Sequence, residues 1–375
     1  MPSQGVVLVL NCGSSSIKYQ VVDVSVAEPL ASGLVERVTD HAAGVAEVIA
    51  ALEANPAVSL PDLTVVGHRV VQGGAHFSAP TLIDDAVEQI IADLSVLAPL
   101  HNPGHSAGIR AAREAFPHIP HVAIFDTAFH QTMPPEAYTY ALNVDVAREH
   151  AIRRYGFHGT SHHYVSATTA ALMGRDPSEV NQIVLHLGNG ASACAVAAGR
   201  SVDTSMGLTP LEGLVMGTRT GDIDPAVLAH LGRAGMSIDQ IDHVLNKESG
   251  MLGLTGFGDL RDVHAAIEAG DEAAALGLEI YCRRIKGYVG RYYALLGHLD
   301  AISFTAGVGE NDDVVRLKSL AGLEELGIVM DPERNAGRKK TATLVSADSS
   351  RVQVWVTPTN EERQIAQESL EAIAR

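Results

Sequence analysis

The stretch VVLVLNCGSSSIKYQVVDV, residues 6–24, decides how the chain is read. Val6 to Asn11 is apolar and rich in β-branched residues, Cys12-Gly13-Ser14-Ser15-Ser16 is a tight turn, and Ile17 to Val24 returns as a second strand. The pattern comes back as IVLHLGNGASACAVAA, residues 183–198, where a strand from Ile183 to Leu187 meets the turn Gly188-Asn189-Gly190-Ala191-Ser192. A further hairpin follows through Gly199 and Arg200. Two copies of one strand-turn-strand unit predict two related α/β domains. Small side chains in both turns let several backbone N–H groups converge on one anion, and the serine hydroxyls add donors, so each turn is either an ordinary hairpin or a phosphate cradle.

Further strands are predicted at Val65 to Val71, His121 to Phe125, Ala301 to Thr305 and Val352 to Thr357. The first two end in polar residues, His68 and Arg69, then Asp126 and Thr127, and functional side chains are common at strand ends of α/β sheets. Helical spacing runs through Ala86 to Leu97, Ala107 to Phe116, Ser161 to Met173, Pro225 to Arg233 and Asp271 to Leu296, and Asn360 starts a final helix. Ala306-Gly307-Val308-Gly309-Glu310-Asn311 reads as a third glycine turn ahead of a helix.

A length of 375 residues favours two domains. Hydrophobic residues at 46% and charged residues at 19% are globular proportions, and no apolar run approaches a membrane span. The formal charge of -17 opposes nucleic acid and anionic lipid as partners, so any anion chemistry must gather its positive charge locally. Three scattered cysteines, Cys12, Cys194 and Cys282, suit a reducing compartment, and the start of the chain lacks a secretory pattern, so the expectation is a cytoplasmic protein. Neither GxxxxGK[ST] nor a helix-opening GxGxxG occurs, which disfavours the P-loop and dinucleotide-fold readings.

Lys18 after the first turn is a phosphate contact or plain surface. Arg69 in GHRVVQGG and Arg219 in MGTRTG sit among small neighbours, and the planar fork of arginine suits carboxylates and phosphates as well as ordinary salt bridges. His158, His162 and His163 admit a metal reading, a structural one, or anion contact by His158. Asp126 could cap a turn, and Glu361 and Glu362 could favour a helix start.

Nine ordered segments, LVLNCGSSSIKYQ, GHRVVQGG, PLHNPGH, IFDTAFHQTMP, YGFHGTSH, HLGNGAS, TPLEGLVMGTRTGDIDP, FTAGVGEN and PTNEE, together resemble the acetate kinases, within the superfamily of acetate and sugar kinases, actin and heat-shock chaperones. The resemblance covers essentially the whole chain. It implies two duplicated ribonuclease-H-like, actin-like ATPase domains with a cleft and active site between them, and a homodimer. The domains would be 1–125, completed by the C-terminal helix 361–375, and a nucleotide-binding domain 126–360. It also implies Mg²⁺, with Mn²⁺ able to substitute, and transfer of the γ-phosphoryl of ATP to acetate, giving acetyl phosphate and ADP.

Residue by residue, the resemblance makes Asn11 and Glu361 ligands or organisers of Mg²⁺. Ser14, Ser16 and Lys18 approach the nucleotide phosphates, and His186, Leu187, Gly188, Asn189 and Gly190 form the second phosphate turn. Gly307, Val308, Gly309, Glu310 and Asn311 border the adenosine with Asp259, Leu260 and Arg261. Arg69 holds the acid's carboxylate, and Val71, Leu100, Phe157 and Pro210 take its methyl end. Arg219 and His158 stabilise the phosphoryl in flight, with His101 and His186 lining the cleft. Asp126 is the family's catalytic carboxylate, expected to orient a guanidinium or the metal's waters because a carboxylate acceptor needs no base. Thr255 to Arg261 departs from the Ser-rich approach and Asp-Phe-Arg-like triplet expected there. Rival readings are a propionate or butyrate kinase, a nucleotide-gated binding protein of actin or chaperone type, and a zinc hydrolase built on the His158 cluster.

Overall fold

The computed structural model describes residues 5–99 and 101–374. Twelve strands form two six-stranded mixed sheets. The first contains β1 (Val6–Cys12), β2 (Ser16–Asp23), β3 (Ala31–Glu36), β4 (Leu63–Val70), β5 (Thr81–Leu82) and β6 (His121–Phe125), in the order β3-β2-β1-β4-β6-β5. The second contains β7 (Asn181–Leu187), β8 (Ala191–Ala197), β9 (Arg200–Thr204), β10 (Ala301–Thr305), β11 (Thr343–Leu344) and β12 (Gln353–Val356). Its order, taken from β9, is β9-β8-β7-β10-β12-β11, the first sheet repeated strand for strand. Each begins with an antiparallel meander, continues through two parallel neighbours and ends on a short antiparallel strand. The duplication expected from residues 6–24 and 183–198 is therefore present at the level of whole sheets.

Contacts divide the chain into two compact units, Met1–Gln131 with Phe157–Ser161 and Asn360–Arg375, and Thr132–Gly156 with His162–Thr359. In the first, the apolar run of β1 is buried on both faces, as central parallel-type strands require. Leu8 and Leu10 pack with Val45, Val48 and Leu52 of the helix His41–Glu53, whereas Val7 and Val9 pack with Ile365 and Leu370 of the helix Glu361–Ile373. Successive side chains of a strand point to opposite faces, so one run serves two cores. In the second, the long helix Glu272–Leu296 buries Tyr281, Ile285, Val289 and Tyr292.

The expected glycine turn at 306–311 is instead a helix, Ala306–Asn311, starting directly after β10. Glu310 explains the difference: its carboxylate folds back to accept from the Ala306 N–H at 2.9 Å, giving the first turn a partner. Among the described residues no helix is long and apolar enough to cross a membrane.

Candidate active site

In the first unit, the β1–β2 hairpin holds Asn11 opposite Lys18 and closes its turn with the Gly13 N–H donating to the Ser16 carbonyl at 2.7 Å. The turn is braced by His41, whose Nε2 lies 2.9 Å from the Gly13 carbonyl, and by the Val38 N–H, which donates to the Ser15 carbonyl at 2.9 Å. Lys18 is half exposed and ion-pairs with Glu362.

Arg69 leaves β4 toward Asp126, which sits just past β6 and is 1% exposed. Nε donates to Oδ1 at 3.0 Å and Nη2 to Oδ2 at 2.6 Å, and Glu361 lies 3.8 Å from Nε. Burial works against the charge on Arg69, but Asp126 and then Glu361 outweigh it and hold the guanidinium above its ordinary pKa. Burial pushes the Asp126 carboxyl up, while Arg69 pulls it back. An arginine that keeps its proton makes this an ionic pair, with the rest of the guanidinium edge available to a second anion.

His158 has a φ of +56°, left-handed backbone that a non-glycine residue rarely adopts. The strain has a visible cause. The next N–H, of Gly159, donates to the Asp126 carbonyl at 2.9 Å, and a Cβ on Gly159 would collide with that same carbonyl. The chain is thus clamped onto Asp126 just where His158 projects and the helix Gly159–Leu172 starts. Val71 and Phe157 are buried nearby in sequence to these groups, and Leu100 lies outside the described residues.

In the second unit, His186 and Leu187 are buried in β7, and the turn that follows has the Gly188 N–H donating to the Gly190 carbonyl at 3.0 Å. The Gly217 N–H donates to the Asn189 carbonyl at 3.0 Å, tying the Arg219 loop to this turn. Arg219 Nη1 donates to the Pro210 carbonyl at 2.6 Å. Among the described residues no carboxylate pairs with Arg219, and burial lowers its pKa. A partly buried guanidinium without a carboxylate partner is chemically suited to receive an anion, because the desolvation cost falls when an anion arrives.

A cavity of about 800 Å³ opens in the same unit. Gly188, Asn189, Asp259, Leu260, Arg261, Gly307, Val308 and Asn311 line it, which brings together three of the segments singled out in the sequence. His186, Leu187, Gly190, Gly309, Glu310 and Pro210 are not among its lining residues. Glu310 faces the end of β10, and Gly309 packs on Phe304. His264, Tyr281, Asp312 and Arg338 also line the cavity and were not foreseen. Asp312 before a helix carries a capping signal, but nothing in sequence spacing brings it to His264.

The zinc reading fails. His162 Nε2 hydrogen-bonds Ser192 Oγ at 2.8 Å and its ring meets that of His186 edge-on, 6.2 Å between centroids, and among the described residues no three His, Cys, Asp or Glu side chains are grouped to hold a metal.

Comparison with known proteins accounts for this arrangement. Residues 6–54 and 37–367 match the model of the acetokinase family. An acetate kinase of Leifsonia xyli subsp. xyli is 56% identical over 393 aligned positions, covering 98% of this chain and 99% of that one. The crystal structure of Porphyromonas gingivalis acetate kinase superposes with a TM-score of 0.95 at 40% identity, over 98% of this chain and 100% of that one. A propionate kinase from Francisella tularensis gives 0.91, also at 40% identity, over 98% and 99%.

Proposed function

The chain belongs to the acetokinase family, and from that premise we propose how its residues divide the work of the reaction. It is a kinase that reversibly moves the γ-phosphoryl group of ATP to acetate, giving acetyl phosphate and ADP. A carboxylate oxygen of acetate forms the new bond to phosphorus while the bond to the bridging oxygen of ADP breaks, and no proton changes hands. Positioning and compensation of negative charge are then the whole task.

The observation that carries the assignment of roles is the contrast between two arginines. Arg69 is held in a fork by Asp126, so its position is fixed and it receives the acid's carboxylate. Arg219 has no carboxylate partner among the described residues, so it meets the phosphoryl group whose charge spreads over three equatorial oxygens. His158, strained against Asp126, contacts the same group. Asp126 acts as a positioning residue, not a base. Val71 and Phe157, with Leu100 and Pro210, take the methyl end. Discrimination per methylene in such a pocket is about 1 to 3 kcal/mol, so propionate is a slower second substrate.

The cavity lined by Asp259 to Arg261 and Gly307 to Asn311 takes the adenosine, and the turns at Ser14 to Ser16 and His186 to Gly190, with Lys18, take phosphates. The division into an N-terminal domain and a nucleotide-binding domain is part of this reading. Asn11 and Glu361 would hold Mg²⁺, with Mn²⁺ as a substitute. The fit is chemical: one amide and one carboxylate suit an ion that keeps most of its waters and leans on phosphate oxygens. When bound, Mg²⁺ supplies charge neutralisation on the phosphates. A cytoplasmic homodimer belongs to the same reading: the buried cysteines at positions 12, 194 and 282 suit a reducing compartment, and the dimer follows from the family resemblance.

The test is ATP turnover with acetate, propionate and butyrate, trapping acyl phosphate as the hydroxamate, for wild type and Arg219→Ala. Acetate is expected at the highest kcat/KM, with loss of at least about 100-fold in the variant. An Arg219→Ala enzyme at near-normal rate would remove this residue from the transfer step.

A further inference from the structure

The loop that carries Arg219 is closed at its neck by a carboxylate that has no part in the division of roles proposed for the reaction. Gly213 and Asp222 face each other there. The Asp222 N–H donates to the Gly213 carbonyl at 2.9 Å, and the Gly213 N–H donates to Asp222 Oδ1 at 2.8 Å. The helix Glu272–Leu296 completes the clasp from outside. The Tyr288 hydroxyl donates to Asp222 Oδ2 at 2.8 Å, and Arg284, one turn earlier on the same face, donates to the carbonyls of Gly213 and Asp222 at 2.9 and 3.2 Å. Both Asp222 oxygens are thus engaged by protein donors, although the side chain is 42% exposed.

Within the loop, Leu214, Val215 and Met216 are buried, whereas Arg219 lies on the partly exposed return limb. Its backbone is held at the tip. The Met216 N–H donates to the Arg219 carbonyl at 3.1 Å, and Gly250 presses on the same turn: its φ is +62°, and a Cβ there would lie 2.7 Å from the Arg219 carbonyl oxygen and 2.9 Å from the Arg219 nitrogen. The side chain is aimed by another contact, from Nη1 to the Pro210 carbonyl at 2.6 Å, and Pro210 precedes the loop. Arg219 stands three residues before Asp222, and Pro210 three residues before Gly213. The pair Asp222–Gly213 therefore sets the distance between the arginine and the carbonyl that orients its guanidinium.

We propose that Asp222, held by Tyr288, is a positioning residue for phosphoryl transfer. It keeps Arg219 in register with the Pro210 carbonyl, so that one edge of the guanidinium is spent on Pro210 and the other is presented to the transferring group. This rests on the reading of Arg219 as the residue that meets the phosphoryl group. Asp222 acts through Arg219 and is assigned no contact with a reactant.

The clasp predicts a loss confined to turnover. Asp222→Ala is expected to lower kcat for acetyl phosphate formation by about 10- to 100-fold, the cost of a guanidinium displaced by about an ångström, with ADP affinity and the KM for acetate unchanged. Asp222→Asn keeps an acceptor for the Gly213 N–H and offers its amide to the Tyr288 oxygen, so it should restore most of kcat. Tyr288→Phe removes one bond to a charged acceptor and leaves the ring in place, and should lower kcat by about ten-fold. A double-mutant cycle separates positioning from general loosening of the unit: hydroxamate assays of the same substitutions in an Arg219→Ala background. There Asp222→Ala and Tyr288→Phe should cost nothing further, because the group that they misplace is gone. A loss in that background equal to the loss in wild type overturns the clasp, as does wild-type kcat in Asp222→Ala and Tyr288→Phe. Where Asp222→Ala does not fold, the cycle with Tyr288→Phe decides alone. Arg219→Ala at a near-normal rate is a distinguishable failure, since it removes the role of Arg219 itself and the premise with it.

Discussion

The Arg69 guanidinium and the Asp126 carboxylate meet as a two-pronged fork, Nε to Oδ1 at 3.0 Å and Nη2 to Oδ2 at 2.6 Å. A fork fixes direction as well as distance, and it turns one edge of Arg69 toward Asp126 while leaving the opposite edge to a ligand. On the proposed division of roles, it also explains how an acidic residue serves a reaction between anions: the charge of Asp126 aims a cation.

Asp126→Asn keeps the shape but loses the charge and one acceptor of the fork. The expected result is a kcat/KM for acetate lower by about 100-fold, because a guanidinium misplaced by an ångström costs that much, with ADP affinity unchanged. Titration calorimetry beside hydroxamate assays separates the two quantities. Near-normal turnover in the variant would end any role for Asp126 in the reaction.

Gly104 lies in the first turn of the helix Asn102–Ala115, and a Cβ there would stand 2.8 Å from the Gly13 carbonyl oxygen and 3.1 Å from the Ser14 nitrogen. These are backbone atoms of the β1–β2 turn, proposed above to take phosphates, and cannot swing aside. Gly104→Ala should therefore raise KM for ATP by about ten-fold and cost about 1 to 3 kcal/mol of stability. Gly232→Ala, in an exposed helix position where a Cβ meets nothing, should instead stabilise by about 0.5 to 1 kcal/mol. Steady-state kinetics and urea unfolding of both variants decide it, and equal effects would show that the contact at Gly13 is yielding.

The duplication was legible because it is written in local pattern: apolar arms, glycine turns and a return of both after about 180 residues. The ends of strands carrying Arg69 and Asp126 were legible for the same reason. What escaped was of two kinds. The helix His41–Glu53 is Ala-rich with a weak apolar stripe, so its burial of Val45, Val48 and Leu52 was set by the sheet it packs on. The cavity assembles His264, Tyr281 and Asp312 from three separate helical segments, and convergence of that sort has no period in the sequence. The helix at Ala306–Asn311 was hidden by its glycines, which local preference disfavours and the Glu310 carboxylate offsets.

Three buried histidines of the first unit should make the protein acid-labile. His68 Nε2 and His121 Nδ1 are 2.9 Å apart, and His105 is buried in the helix Asn102–Ala115. Burial first, then neighbouring imidazoles and guanidinium groups, lowers the pKa of His68, and burial also lowers that of His121 and takes His105 to about 3. Above pH about 6.5 these rings are neutral folded or unfolded and contribute nothing. As pH falls below that value the unfolded chain takes up protons that the folded state refuses, and stability is lost down to the folded pKa. Each ring costs about 1.4 kcal/mol per pH unit in that window. Urea unfolding between pH 7 and 5 should show stability falling as the pH falls, with a slope at pH 5 that is smaller by about one proton in His105→Asn. A slope unaltered by that substitution would mean that His105 titrates normally in the folded protein.

Arg316 is wholly buried without an ion-pair partner among the described residues, and its work is to hold carbonyls. Nη1 donates to the Gly309 carbonyl at 3.0 Å, Nε to Asn335 Oδ1 at 2.7 Å, and Nη2 to the carbonyls of Asn335 and Gly337 at 2.7 and 2.8 Å. Burial lowers its pKa, and the cost of keeping the charge is offset by these acceptors together with the nearby Asp313 and Asp312 carboxylates. Methionine would fill much of the volume and remove that cost, yet it would leave the three carbonyls unpaired at about 1 to 3 kcal/mol each. The acceptors outnumber the charge, so Arg316→Met should destabilise by about 3 to 5 kcal/mol. Because one of those carbonyls belongs to the helix Ala306–Asn311 on the cavity wall, ADP should restore part of the loss in thermal unfolding. A variant as stable as wild type would mean that water replaces the guanidinium there, and that the cavity wall does not depend on it.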